Sequence, residues 1–241
     1  MPLLVLSSLA APHPARPAEL GSALLGVDPS FAPQFGRRPY GTILQRTRHL
    51  DVETIRSAGG RPSITKVADL DGGRRLVRLD GFGRAVDHEL SVALRSVRQV
   101  ILDLRHNQGG LVRRMLRVAG RFTGPVPGAL ELVADERVTV LAIPRPSGGP
   151  VWAGRITVLV GPLTISSGEV LAALLRRYAG AAVLGERTFG KDYVLRVERI
   201  APDWQALIPD GRIEVPGEIL AGGLTPDGPI PAELAATIPT H

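Results

Sequence analysis

RQVILDLRHNQGG, residues 98–110, runs from a continuous apolar stretch into a short polar turn that closes on two glycines. A strand with one wet face alternates apolar and polar residues, whereas a strand covered on both faces does not. The run therefore predicts a buried strand of a parallel sheet. RITVLVG at 155–161 and AAVLG at 181–185 have the same character, and RLVRLDGF at 75–82 also reads as a strand. Between them lie segments of helical period. VDHELSVALRSV (86–97) has apolar residues at 86, 90, 93, 94 and 97. LVRRMLRVAGRF (111–122) sets Leu111, Met115, Val118, Ala119 and Phe122 against Arg113, Arg114, Arg117 and Arg121. SSGEVLAALLRRYAG (166–180) offers Val170, Leu171, Leu174, Leu175 and Tyr178 to a core. This alternation predicts an α/β fold with largely parallel strand pairing and right-handed connections.

Residues 129–143 read as two strands with a tight connection, and the tail as two or three more, with no internal repeat. The first 65 residues are rich in Pro, Gly and Arg and weakly periodic; DPSFAPQFGRRPYG (28–41) reads as loop, and ILQRTRHLDVETIRSA (43–58) as a short helix or strand. MPLLVLSSLAAPHPARPAE (1–19) reads either as a signal remnant, although no basic segment precedes its apolar run, or as a disordered tail. The expected location is periplasmic or otherwise extracytoplasmic, with cytoplasmic as the alternative.

Composition narrows the function. Hydrophobic residues at 44% suffice for a sizeable core, and aromatics at 4% argue against platforms that stack nucleic-acid bases. The +6 charge is spread over scattered arginines, the pattern of solvated helix faces rather than a nucleic-acid patch. The chain has no cysteine, which excludes a thiol nucleophile, thiolate metal sites and disulfides. No apolar run is long enough for a membrane span.

Three polar loops follow predicted buried strands: HNQGG after VILDL, LTISSGE after ITVLVGP, and ERTFGKD after AAVLG. In parallel α/β sheets the carboxyl ends of strands share one edge, and sites form there. These loops would unite backbone amides near Gly109 and Gly110, two serine hydroxyls and the amine of Lys191. Of 29 basic residues 27 are arginine, and lysine stands only at 66 and 191. Arginine cannot lose its proton in a protein, but a buried lysine can. A serine at a helix start, a neutral amine kept dry by neighbours such as Phe189 and Val194, and fixed N–H donors make a nucleophile, a base and an oxyanion hole. Taken singly, each piece has a plainer reading. Ser166 and Glu169 match the S-x-x-E capping box, the glycines make a tight turn, Lys191 is a surface residue, and Asp103 and Arg105 pair with one another or with neighbours.

The same segments resemble the carboxyl-terminal processing peptidases, or tail-specific proteases. That family's D-L-R-x-N-x-G-G stretch is DLRHNQGG here, its T-A-S-A-S-E-like stretch is TISSGE, its G-E-x-T-F-G-K is GERTFGK, and its late G-x-x-P-D is GLTPD at 223–227. The resemblance covers roughly residues 70–230, with the motifs in family order. It implies a ClpP/crotonase-like superhelix of β-β-α units. It also implies a serine peptidase with Ser166 as nucleophile, Lys191 as base, and backbone amides of Ser167 and of Gly109 or Gly110 as oxyanion hole. Thr164, Glu169, Asp103, Arg105 and Asn107 stand as supporting residues. No metal or cofactor is expected, and the partner would be a peptide or unfolded protein. Nucleic acid and stable membrane insertion are not expected; an activating partner or oligomer stays open.

On this reading, residues 1–69 form an irregular N-terminal segment and 70–241 the catalytic core, without a recognisable PDZ domain. The chain departs from the family at Leu195, where many members carry a glutamine. It departs also at NQGG for N-P-G-G, SSGE for S-A-S-E, and GKD for G-K-G, which puts Asp192 beside the lysine. If Asp192 faced the amine it would favour the charged form. Two alternatives remain: a catalytically inactive peptide-binding module on the same fold, and a crotonase-type acyl-CoA enzyme.

Overall fold

The computed structural model describes residues 43–46, 62–134, 137–147, 149–201 and 204–238. The proposed signal remnant at 1–19, the loop at 28–41 and most of 43–58 lie outside them. Elements in chain order are β1 (Ile43–Arg46), β2 (Ile64–Leu70), β3 (Arg74–Leu79), α1 (Val86–Ala93), β4 (Gln99–Asp103), α2 (Val112–Thr123), β5 (Val126–Ala134), β6 (Arg137–Ile143), β7 (Arg155–Val160), α3 (Ser167–Ala179), β8 (Ala182–Gly185), β9 (Tyr193–Ala201), β10 (Trp204–Glu214) and α4 (Ala232–Thr237). They fall into two compact units, residues 1–54 with 194–211, and residues 55–193 with 212–241. In the first, β1 pairs antiparallel with β10 from Ile43 opposite Leu207 to Arg46 opposite Trp204.

The second unit holds a five-stranded sheet of order β2-β3-β4-β7-β8. The pairs β3–β4, β4–β7 and β7–β8 are parallel, and only β2–β3 is antiparallel. This is the mixed α/β, largely parallel architecture that the apolar runs predict. The parallel strands are buried because both faces are covered. On one face Leu76, Ile101 and Leu159 pack with Leu234 of α4 and Ile238. On the other, Val77, Leu102, Val158 and Val183 are wholly buried. Helix α3 is buried from Ser167 to Leu175 and turns polar only at Arg176 and Arg177, where cations suit the negative helix end. Separately, β5 and β6 form an antiparallel hairpin, and residues Arg212–Glu214 of β10 pair with β5.

Two elements escape the sequence reading. ITKVADL forms β2, whose regular alternation of exposed and half-buried residues marks an edge strand with no fully buried position. The short α4 is too brief to show a period, and its burial rests on Leu234 alone. The sheet register then sets up the chemistry. Asp103 pairs with Leu159, Leu159 with Leu184, and Val160 with Gly185, so β4, β7 and β8 end side by side. The three loops that leave them emerge on one edge.

Candidate active site

The serine turn is strained. Ser166 has φ 57° and ψ −122°, and among the described residues only Ser96 shares a positive φ without being glycine. Such a conformation costs of order 1–3 kcal/mol and persists only where its surroundings impose it. Here they do. The Ile165 N–H donates to the Asn107 carbonyl at 2.9 Å, and the Ser166 N–H donates to Glu169 Oε2 at 2.7 Å. The Ser166 carbonyl accepts the N–H groups of Glu169 and Val170 at 2.9 and 3.1 Å. Ser166 thus occupies the helix cap, as the plainer reading has it. With Glu169 it forms the S-x-x-E capping box there.

The glycine turn leans directly on this serine. Gly109 has φ +92°, and a Cβ there would lie 2.9 Å from both Ser166 Cβ and the Ile165 carbonyl, so no side chain fits. Buried Asn107 shapes the turn: its Oδ1 accepts the Gly109 N–H at 2.9 Å and its Nδ2 donates to the Leu79 carbonyl at 2.9 Å. The Gly109 amide is therefore spoken for, which narrows the expected oxyanion donors to Ser167 and Gly110. The N–H groups of these two residues have no partner among the described residues. The Ser167 hydroxyl donates to the Gly110 carbonyl at 2.8 Å and ties the two amide-bearing segments together.

The lysine turn is held by side chains from elsewhere. Buried Glu169 is its anchor. Oε1 accepts from Thr188 Oγ1 at 2.5 Å and from the Gly190 N–H at 2.6 Å, while Oε2 accepts from the Lys191 N–H at 2.8 Å and from Ser166. One carboxylate thus joins the serine turn to the lysine turn. The Phe189 N–H adds a bond to the Thr164 carbonyl at 3.1 Å. From the far side, Thr188 Oγ1 accepts the Leu224 N–H at 2.7 Å. Asp227 accepts the Val183 N–H at 2.8 Å and pairs with Arg176 at 3.1 Å. The GLTPD stretch therefore braces β8 and the turn that follows it.

The remaining supporting residues act on the frame. Asp103, 2% exposed, takes Arg105 in a two-pronged ion pair at 2.9 and 2.8 Å and caps its backbone N–H, so these two do pair with one another. Buried Thr164 donates to the Leu104 carbonyl at 2.8 Å and accepts the Gly161 N–H at 3.0 Å, which joins the β4 and β7 ends.

The lysine amine lies against an aromatic ring that the sequence reading did not name. Phe189 is 49% exposed, and Val194 is half-buried. Lys191 Nζ lies over the ring of Tyr193, 5.2 Å from its centroid. Burial of the half-buried side chain pulls its pKa below the ordinary 10.5, and the nearby Glu169 charge opposes that shift. The carboxylate acting on the amine is thus Glu169, not Asp192, whose carbonyl accepts the Ile213 N–H at 2.6 Å. No helix among the described residues is long and apolar enough to cross a membrane. They contain no metal-ligating cluster.

Comparison with known proteins identifies a family and a shared fold. The profile of peptidase family S41 matches residues 76–228. The carboxyl-terminal-processing peptidase 1 of Arabidopsis thaliana chloroplasts is 25% identical over 168 residues, and the carboxyl-terminal-processing protease of Picosynechococcus is 26% identical over 172. These alignments take in 63% and 65% of this chain but 32% and 39% of the relatives, so the chain spans well under half of their length. The photosystem II D1 C-terminal processing protease shares the fold, with a TM-score of 0.55 and 21% identity over 78% of this chain and 48% of that one.

Proposed function

The chain belongs to peptidase family S41, and from that premise we propose that it hydrolyses peptide bonds with a Ser166–Lys191 dyad. The observation that carries this reading is the single Glu169 carboxylate accepting the backbone N–H groups of both residues, beside a serine in a strained conformation. A peptide or unfolded protein docks in extended form with its carbonyl carbon facing Ser166 Oγ. Neutral Lys191 accepts the hydroxyl proton as Oγ bonds to the carbonyl carbon. The carbonyl oxygen, now an oxyanion, takes the N–H groups of Ser167 and Gly110. On collapse the C–N bond breaks, and the Lys191 ammonium gives its proton to the departing amine. Lys191, neutral again, takes a proton from the water whose oxygen bonds to the ester carbon, and returns it to Ser166 Oγ as the ester C–O bond breaks. Every proton is carried by one amine, and no metal or cofactor enters.

The test is cleavage of casein by wild type, Ser166→Ala and Lys191→Arg, with thermal unfolding run in parallel. Both variants should be folded and lose at least about 10³-fold in activity, the scale on which removal of a nucleophile or its base acts. Retained cleavage by purified Ser166→Ala would overturn the assignment. No cleavage by wild type, together with no labelling of Ser166 by a phosphonate probe, would favour a peptide-binding module.

A further inference from the structure

The amine of Lys191 has one neighbour that the dyad chemistry leaves without a task. Among the described residues Lys191 Nζ makes no hydrogen bond and no ion pair, yet it lies 5.2 Å from the Tyr193 ring centroid. An aromatic face is negative at its centre and attracts an ammonium more than a neutral amine. The ring begins β9, two residues beyond the lysine, and both belong to the same compact unit.

We infer that the face of Tyr193 is the positioning element of the base, holding the Lys191 amine and stabilising the ammonium formed when the serine proton arrives. The inference rests on the dyad reading and assigns to its base a support no motif supplied. Three influences then meet at Nζ. Burial disfavours the charged form, and the Glu169 carboxylate from α3 favours it. The ring favours it too, without donating or accepting a proton. Asp192, the chain neighbour, is not among the charges that act on the amine. A purely apolar neighbour would make the amine a weaker base, and a second carboxylate would favour its charged form further. A ring face lies between these extremes.

The scarcity of lysine makes the test clean. In Lys66→Arg, Lys191 is the sole lysine, so ¹³Cε-lysine labelling yields one side-chain resonance whose pH titration reports that amine without any activity assay. Tyr193→Leu should lower the midpoint by about half to one pH unit, because the charged form loses its attractive partner. Tyr193→Phe, which keeps the ring, should leave it within about 0.2 unit on the same reasoning. Pentafluorophenylalanine at 193 keeps the ring shape but reverses the charge of its face. It should shift the midpoint as Leu does, and it serves where the Leu variant does not fold. Casein cleavage should follow, with the acidic limb of kcat/KM moving down by the same amount in the Leu variant and staying in place in the Phe variant. An unmoved midpoint in both the Leu and pentafluoro proteins would overturn the inference, as would a Phe variant that shifts as far as Leu. Failure of the dyad itself reads out separately, as casein cleavage that survives Ser166→Ala or Lys191→Arg.

Discussion

The serine turn and the lysine turn sit against one carboxylate but are held in different ways. Ser166 opens α3, a helix buried for nine residues, and its main chain is covalently continuous with that rigid element. Lys191 follows a strand of only four residues and an irregular turn, and it is positioned by groups more than 20 residues away in sequence: Glu169 on one side, GLTPD on the other. Ser166 owes its place to local structure under strain. Lys191 owes its place to long-range hydrogen bonds, so damage to those bonds should misplace Lys191 before it misplaces Ser166.

Glu169→Gln should break this arrangement hardest. Whichever way the amide turns, its NH₂ faces two donors that the carboxylate accepted. Loss of about 3 kcal/mol of stability is expected from two buried donors left unpaired. A fall of about 100-fold in kcat/KM should accompany it, since small misplacements of catalytic groups act on that scale. Casein kinetics and urea unfolding would measure both. Thr188→Val removes one donor to Glu169 and leaves the buried Leu224 N–H without its acceptor. The expected cost is about 1–3 kcal/mol, with a smaller loss of activity than Glu169→Gln. Equal losses in the two variants would mean that the link to the serine turn contributes nothing.

Ser166→Gly tests the other side of the comparison. Glycine relieves the positive φ, so the variant should lose activity yet gain about 1 kcal/mol of stability. Unchanged or lower stability in urea melts would show that the turn stores no strain. The subtlest effect concerns pH. The folded pKa of Lys191 lies below its unfolded value of 10.5. Between the two values the unfolded chain binds more protons, and stability rises with pH. Wild type should therefore gain stability relative to Lys191→Met as pH climbs through the folded value toward 10.5. Parallel curves would contradict an amine kept partly dry.

Much of the frame was legible in the residues because burial on both faces of a parallel strand leaves continuous apolar runs. The 3.6-residue period of 111–122 likewise marked α2. β2 was not legible, because an edge strand with no fully buried position leaves a pattern too polar to stand out. GERTFGK and TISSGE announced which residues to watch, but motif order says nothing of which atoms touch.

The sequence by itself determined the α/β class, the three loops at strand ends and the membership of Ser166 and Lys191 in matching motifs, since these depend on local pattern. Only the tertiary structure decided that Glu169, besides capping its own helix, joins two turns. It alone assigned the Gly109 amide to Asn107 and set the Tyr193 ring beneath the lysine amine. Those contacts depend on where the ends of β4, β7 and β8 lie together and on side chains reaching across them, and neither is encoded in the period of any single segment.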